Sequence, residues 1–92
     1  MITIELPGAL QLYARGSSTV SVGDRCATVR DALRALAQEH PGVLDRVMDE
    51  QGQVRPHVNV FVDERSIRFL DGLETPVGKG STIVIVPAVS GG

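Results

Sequence analysis

The 92-residue chain has few aromatic residues, one cysteine and no long apolar run. Its aromatic residues are Tyr13, Phe61 and Phe69, so we expect a core of Val, Leu, Ile and Ala. Because Cys26 is the only cysteine, an intramolecular disulfide framework and a cysteine-rich zinc site are excluded. No apolar stretch approaches the roughly 20 residues of a membrane-spanning helix, and residues 1–6 do not resemble a signal peptide. We therefore expect a cytoplasmic protein with no membrane partner.

The chain also lacks a large excess of positive or negative charge. Nine Lys and Arg residues stand against eleven Asp and Glu residues, which gives a formal net charge of -2. A chain so balanced offers no basic surface for a polyanion, and we predict no nucleic-acid partner.

The sequence contains no convincing catalytic or metal-binding motif. Gly78-Lys79 has the wrong spacing for a phosphate-binding loop and precedes a predicted strand instead of a helix, so we interpret it as a turn. His40 and His57 each lie beside a proline in predicted surface loops, with no ligand spacing around them. Cys26 has only Arg25 as a basic neighbour and is interpreted as a partly buried structural cysteine. We predict no metal site and no enzymatic activity.

Alternation of apolar and polar residues predicts five strands. Residues 2–6 and 19–22 are predicted to form one hairpin, and further strands are expected at 58–62, 67–69 and 82–86. A short polar connection, Asp63-Glu64-Arg65, is predicted between the third and fourth strands.

One main helix is predicted between the second and third strands. Apolar residues recur at helical spacing from Val29 onward. Thr28 is predicted as the N-cap, with Asp31 three residues later, and Pro41-Gly42 ends the helix. A short helical turn over 44–48 should place three more apolar residues on the core. This order of elements predicts an α+β fold with one mixed sheet packed on one main helix. Periodicity leaves the strand order open.

The chain ends in two glycines directly after the last predicted strand. Residues 88–92 carry no charged side chain and no bulky group after Val89, and they span at most about 17 Å when extended. Since glycine lacks a Cβ, Gly91 and Gly92 can pass through a narrow channel. We expect the terminal carboxylate to be threaded into the active site of another protein and activated there. A frayed terminus without a role is the alternative.

Several segments together resemble a known family, the β-grasp, ubiquitin-like sulfur carriers that include MoaD, ThiS and CysO-like proteins. The resemblance covers essentially the whole chain and is closest to the CysO-like carriers of cysteine biosynthesis. It is carried by the strand 58–62, Asp63-Glu64, Ile67-Arg68-Phe69, Gly72-Leu73 and Pro87-Ala88-Val89-Ser90-Gly91-Gly92. Two departures are the turn Gly78-Lys79-Gly80-Ser81, which is usually more acidic, and Ser90, where alanine is frequent.

The resemblance implies a β-grasp (ubiquitin-like) roll with about five strands over residues 1–87 and a flexible C-terminal tail over 88–92. It implies that an ATP-dependent, ubiquitin-activating-type adenylyltransferase and sulfurtransferase adenylates the Gly92 carboxylate and converts it to a thiocarboxylate. Val89, Ser90 and Gly91 would then be the threading residues. The carrier itself would bind no cofactor, because the ATP is used by the activating partner.

The resemblance also implies downstream partners. In the CysO-like branch, the sulfur acceptor is an activated serine derivative on a pyridoxal-phosphate cysteine synthase, and a metalloprotease cleaves after Gly92 to free the cysteine. Two related alternatives use the same carboxylate: the small subunit of molybdopterin synthase (MoaD-like), and a ubiquitin-like protein modifier conjugated through Gly92. A plain interaction domain, in which the tail has no role, is a further alternative.

A docking surface is predicted from strand alternation. If Val58, Val60 and Val62 face the core, Phe61 points to the opposite face of the sheet. Val84 and Val86 join it if the two isoleucines beside them are buried. We predict that this apolar patch (Phe61, Val84 and Val86) contacts the activating enzyme or the sulfur acceptor. The alternative is that a loop covers Phe61.

Overall fold

A mixed five-stranded sheet forms the centre of the computed structural model, which describes residues 1–87. The strand order is β2-β1-β5-β3-β4, with β1 parallel to β5 and the other neighbours antiparallel. The strands are β1 (Ile2–Glu5), β2 (Thr19–Val22), β3 (Val58–Val62), β4 (Arg65–Ser66) and β5 (Thr82–Pro87). The α-helices are α1 (Gly8–Gln11), α2 (Val29–Glu39) and α3 (Pro41–Val47), and 3₁₀ helices cover Leu12–Ala14, Ile67–Phe69 and Gly72–Glu74.

The core lies between one face of the sheet and the apolar face of α2. Alternate residues of each long strand are buried, because successive side chains of a strand point to opposite faces. On the helix, the buried residues recur at helical spacing, as predicted. The fully buried members include Ile2, Ile4, Val29, Leu33, Leu36, Val60, Ile83 and Ile85.

The predicted helix α2 is confirmed together with its N-terminal cap. The Thr28 hydroxyl oxygen accepts a hydrogen bond from the Asp31 backbone N–H at 3.3 Å, and the Asp31 carboxylate accepts one from the Ala27 N–H at 3.1 Å. The first bond satisfies an N–H group that the first helical turn cannot pair internally, and the second ties the residue before the cap to the helix. The helix ends at Glu39, and Pro41 then begins α3 at a position where its missing N–H costs nothing.

The prediction of a strand at 67–69 is wrong. The fourth strand is only Arg65–Ser66, and Ile67–Phe69 forms a 3₁₀ helix. The Ser66 hydroxyl accepts a hydrogen bond from the Arg68 N–H at 3.3 Å, which starts the turn. The Arg68 guanidinium donates to the carbonyls of Pro56 and Val58, both at 3.0 Å, and holds the segment against the start of β3. Ile67 is therefore buried while Phe69 is 87% exposed.

The connection between β1 and β2 contains a short helical segment that the pattern did not predict. The hairpin pairing itself is confirmed, with Ile2 opposite Val22 and Ile4 opposite Val20. Between the strands, α1 and the following 3₁₀ helix bury Leu10 and Ala14. This four-residue spacing is helical, but the segment is too short for periodicity to identify it. Within residues 1–87, no helix is both long and apolar enough to cross a bilayer.

Candidate functional site

The outer face of the sheet carries the predicted patch. Phe61 on β3 lies directly opposite Val84 on β5, and Val86 follows on the same face, opposite Asn59. The isoleucines beside them, Ile83 and Ile85, are buried in the core. Val84 and Val86 therefore point to the same outer face as Phe61, as the alternation predicts. Phe61, Val84 and Val86 are half-buried and line an open concavity, where a partner can reach them. Their contact with a partner stays a prediction.

Acidic side chains border this patch. Glu5 pairs with Val84 across β1 and β5, and Asp63 and Glu64 line the same concavity at the turn between β3 and β4. Asp63 and Glu64 both have positive φ angles, 47° and 76°, although neither is glycine. The Asp63 carboxylate accepts a hydrogen bond from the Thr82 N–H, and the Asp63 N–H donates to the Thr82 carbonyl, both at 3.0 Å. The turn thereby fixes the start of β5.

A second concave surface surrounds the end of β5. Pro87, opposite Val58 in β3, lines a groove of about 490 Å³ whose walls come from four segments of the chain. We call it the Pro87 groove. Its apolar lining is Pro7, Ala9, Leu10, Tyr13, Val58, Ile85 and Pro87, and its polar lining is Asp45, Arg46, Arg55 and His57. Sequence reasoning missed this groove, because residues so far apart in the chain leave no local pattern.

The predicted reacting and threading residues lie outside the described residues. These are Val89, Ser90, Gly91 and Gly92, and their roles stay predictions. The structure does place the strand that precedes them. Because β5 lies between β1 and β3, it is paired on both sides over its first half, Thr82–Val84, and its second half pairs with β3 up to Pro87.

The remaining candidate groups carry no reactive arrangement. Cys26 is half-buried, and its pKa is raised above the ordinary value by burial and, secondarily, by the Asp31 carboxylate. Both effects disfavour the thiolate, the reactive form of cysteine. Across residues 1–87, no group of three or more His, Cys, Asp or Glu residues is placed to hold a metal ion. Gly78-Lys79 lies in a turn, with the Gly78 N–H bonded to the Ser81 hydroxyl at 3.0 Å.

Comparison with known proteins finds relatives that match most of the chain. The ThiS family model matches residues 4–92. The sulfur carrier protein CysO of Mycobacterium tuberculosis is 33% identical, with 99% of this chain and 98% of that protein covered. Small archaeal modifier protein 3 of Haloferax volcanii is 42% identical over 69 residues, which are 75% of this chain and 74% of that protein.

Solved structures agree in fold. The crystal structure of the Amycolatopsis orientalis BexX/CysO complex contains a chain that matches with a TM-score of 0.89 and 32% identity, covering 100% of both chains. Mycobacterium tuberculosis CysO matches with a TM-score of 0.87 and 30% identity, covering 97% of this chain and all of the other. These matches and the mixed sheet packed on α2 confirm the predicted β-grasp fold. The chain therefore belongs to the ThiS family, whose members similar to it are small ubiquitin-like sulfur carriers and modifiers.

Proposed function

We propose that this protein is a sulfur carrier whose Gly92 carboxylate is adenylated and then converted to a thiocarboxylate that donates sulfur for cysteine biosynthesis. The observation that carries the proposal is the extent of the similarity. The family model runs to residue 92, and the CysO relatives align over 99% of the chain. The protein acts as a substrate and donor, and the catalytic groups belong to its partners.

The chemistry begins at a partner that uses ATP. A Gly92 carboxylate oxygen attacks the α-phosphorus of ATP, pyrophosphate leaves, and an acyl-adenylate forms. A hydrosulfide-level sulfur supplied by the partner then attacks the acyl carbon, AMP leaves with the bonding electrons, and a thiocarboxylate remains. A thiocarboxylate is ionised and nucleophilic at neutral pH, so sulfur is delivered without release of free sulfide. Gly91, Ser90 and Val89 precede the reacting group and thread through the entrance of the partner's site.

The folded body supplies the binding energy for this insertion. Fixing the five residues 88–92 in one conformation costs about 5–10 kcal/mol, at about 1–2 kcal/mol for each backbone position. Contacts of the body must offset this cost. The patch of Phe61, Val84 and Val86 is suited to that role, because it is apolar, borders an open concavity and lies on a rigid sheet.

The sulfur acceptor is proposed from the similarity to CysO. Similarity to CysO supports an activated serine derivative held by a pyridoxal-phosphate cysteine synthase, with a metalloprotease that cleaves after Gly92 to free the cysteine. A second candidate function is protein modification through an isopeptide bond to Gly92. It is favoured by the 42% identity to small archaeal modifier protein 3.

Intact mass spectrometry of the protein purified from its native host tests the proposal. A carrier gains about 16 Da when one oxygen of the carboxylate is replaced by sulfur, and deletion of Gly92 abolishes the gain. A modifier instead gives slowly migrating adducts that disappear with the same deletion. If neither species forms with a cognate activating enzyme, ATP and a sulfur source, the proposal fails.

A further inference from the structure

The Pro87 groove combines an apolar floor with two positioned guanidinium groups. We propose that this groove binds an acidic segment, carrying at least one apolar side chain, of the enzyme that activates Gly92. The inference rests on the proposed function, because it assigns a second contact of the same partner. It differs from the predicted patch in location, since it concerns the groove at the end of β5 and not the outer sheet face.

The groove lies on the surface that such an enzyme approaches. Pro87 is part of the groove and lies five residues before Gly92. Those residues reach at most about 17 Å when extended. An enzyme that holds Gly92 in its active site must therefore bring the wall of its entrance against the surface around Pro87. The groove is one concave part of that surface, and the concavity at the outer patch is another.

The two arginines are held in place before any partner arrives. The Arg55 guanidinium donates through Nε and Nη2 to the Asp45 carbonyl, at 3.1 and 3.0 Å. The Arg46 guanidinium carbon lies 4.2 Å from the centre of the Tyr13 ring, in cation–π contact. Because both side chains are already ordered, a partner that pairs with them loses less side-chain entropy on binding.

The charges of the groove favour an acidic partner. Its lining holds two guanidinium groups and one carboxylate, Asp45, and His57 adds hydrogen-bonding capacity at the rim. On its other side Arg55 borders Asp49 and Glu50, so Arg46 is the guanidinium more available to a partner. This positive surface contrasts with the net charge of -2 for the whole chain and with the acidic border of the outer patch. Guanidinium groups pair with carboxylates in a planar, two-point geometry. Beside an apolar floor, such pairs are partly shielded from water and gain strength.

The first experiment uses a zero-length carbodiimide crosslinker, which joins an amine to a carboxylate in direct contact. The native side-chain amine is Lys79, which lies with Met1 near the Thr82 end of β5, since the Gly80 N–H bonds the Met1 carbonyl. The six residues of β5 separate that end from Pro87 by about 17 Å. Arg46→Lys keeps the charge and introduces an amine at the groove. Arg34→Lys, at an exposed position of α2, is the matched control.

In the complex with the activating enzyme, Arg46→Lys should give a crosslink from position 46 to an Asp or Glu of the enzyme, identified by peptide mass spectrometry. Arg34→Lys should give none at position 34. If the adenylated complex forms but position 46 crosslinks to nothing, or only to a second copy of this chain, the inference is overturned.

The second experiment measures steady-state adenylation by pyrophosphate release. Arg46→Gln should raise the KM for the carrier about 5- to 30-fold at low ionic strength, the effect of losing one charge pair, and leave kcat unchanged. The difference should shrink at high salt, and Arg46→Lys, which keeps the charge but not the two-point geometry, should restore part of the affinity. Equal KM values for Arg46→Gln and Arg34→Gln would overturn the inference, while adenylation of the wild type would leave the proposed function standing. If the wild type is not adenylated at all, both fail.

Discussion

Single side chains at the start of α2 decide where the helix begins. The Thr28 hydroxyl and the Asp31 carboxylate each accept a hydrogen bond from a backbone N–H near the helix start. Asp31 also places a negative charge in the first turn, where the helix dipole favours it. The bonded residues of this cap lie within four positions of each other in the sequence. Their pattern can therefore be recognised without the structure, and the cap was predicted for that reason.

Removal of the cap should destabilise the protein measurably. Thr28→Ala leaves the Asp31 N–H without its acceptor, and we expect the free energy of unfolding to fall by about 1 kcal/mol. Urea denaturation followed by circular dichroism checks this value. Thr19→Ala, at an exposed strand position, is the matched control and should cost less. An equal loss in both variants would contradict the role of the cap.

Cys26 shows how one charge tunes a thiol. Burial and the Asp31 carboxylate both raise the pKa of Cys26, so the thiolate fraction at neutral pH is lower than for an ordinary cysteine. We expect iodoacetamide to alkylate Cys26 more slowly than free cysteine at pH 7, with a rate that keeps rising as the pH approaches the raised pKa.

Asp31→Asn should lower the pKa of Cys26 and speed its alkylation at pH 7, because it removes the repelling charge. The pH profile of the alkylation rate measures the shift. Asp45→Asn, on α3, serves as the control and should leave the profile unchanged. A shift of the same size in both variants would contradict the assignment to Asp31.

At the scale of elements, the segment after β4 shows why an alternating pattern can mislead. Apolar residues at 67 and 69 with an arginine between them are typical of a strand. The 3₁₀ helix forms because Arg68 finds carbonyl acceptors at Pro56 and Val58, more than nine positions away in sequence. Ile67 then enters the core and Phe69 remains at the surface.

The difference in burial between Ile67 and Phe69 predicts how much each side chain contributes to stability. Ile67→Ala removes a buried side chain and should lower the free energy of unfolding by about 2–4 kcal/mol. Phe69→Ala should change it by less than about 0.5 kcal/mol, since the ring is largely in solvent. Chemical denaturation of the two variants checks both values. A strand with both residues packed on the core would instead make the phenylalanine substitution the costlier one.

The turn between β3 and β4 keeps two non-glycine residues in a left-handed conformation. The hydrogen bond from the Thr82 N–H to the Asp63 carboxylate offsets the conformational cost of the positive φ at Asp63. No described hydrogen bond of the Glu64 side chain offsets the cost of its φ of 76°. A two-residue hairpin loop with positive φ at both positions favours glycine at the second.

Glu64→Gly should therefore raise the free energy of unfolding by about 0.5–1 kcal/mol, as relief of strain outweighs the added freedom of the unfolded chain. Thermal denaturation measures the gain. Glu50→Gly, at another exposed turn position without positive φ, should not stabilise the protein. A loss of stability in Glu64→Gly would show that the left-handed turn is not strained.

The whole molecule directs the chain end through its strand order. Because β5 pairs with β1 on one side and β3 on the other, Pro87 is the end of a central strand and not of an edge. Along β5, Asp63 and Glu64 lie near Thr82 together with Lys79, and the arginines of the Pro87 groove lie at the other end. The acidic border of the outer patch and the arginines of the Pro87 groove therefore lie on different parts of the protein. A partner with complementary charges is favoured in one docking orientation.

A charge placed in the outer patch of Phe61, Val84 and Val86 tests whether this patch binds a partner. Phe61→Asp places a charge in the apolar patch and should reduce the rate of thiocarboxylation at limiting carrier concentration by at least about tenfold, which corresponds to about 1.4 kcal/mol. Ser21→Asp adds the same charge at an exposed position of β2 and is the control. Circular dichroism establishes that both variants fold. A folded Phe61→Asp variant with unchanged thiocarboxylation would remove the patch from the proposal.

The sequence by itself determined the features that rest on neighbouring residues: the capped helix α2, the buried alternation of β1, β3 and β5, and the resemblance that led to the family. Caps and periodicities are local, so they can be read along the chain. Only the tertiary structure decided the strand order, the 3₁₀ helix at Ile67–Phe69 and the Pro87 groove. Those features depend on contacts between residues far apart in sequence, such as Glu5 with Val84, which only the packed core brings together.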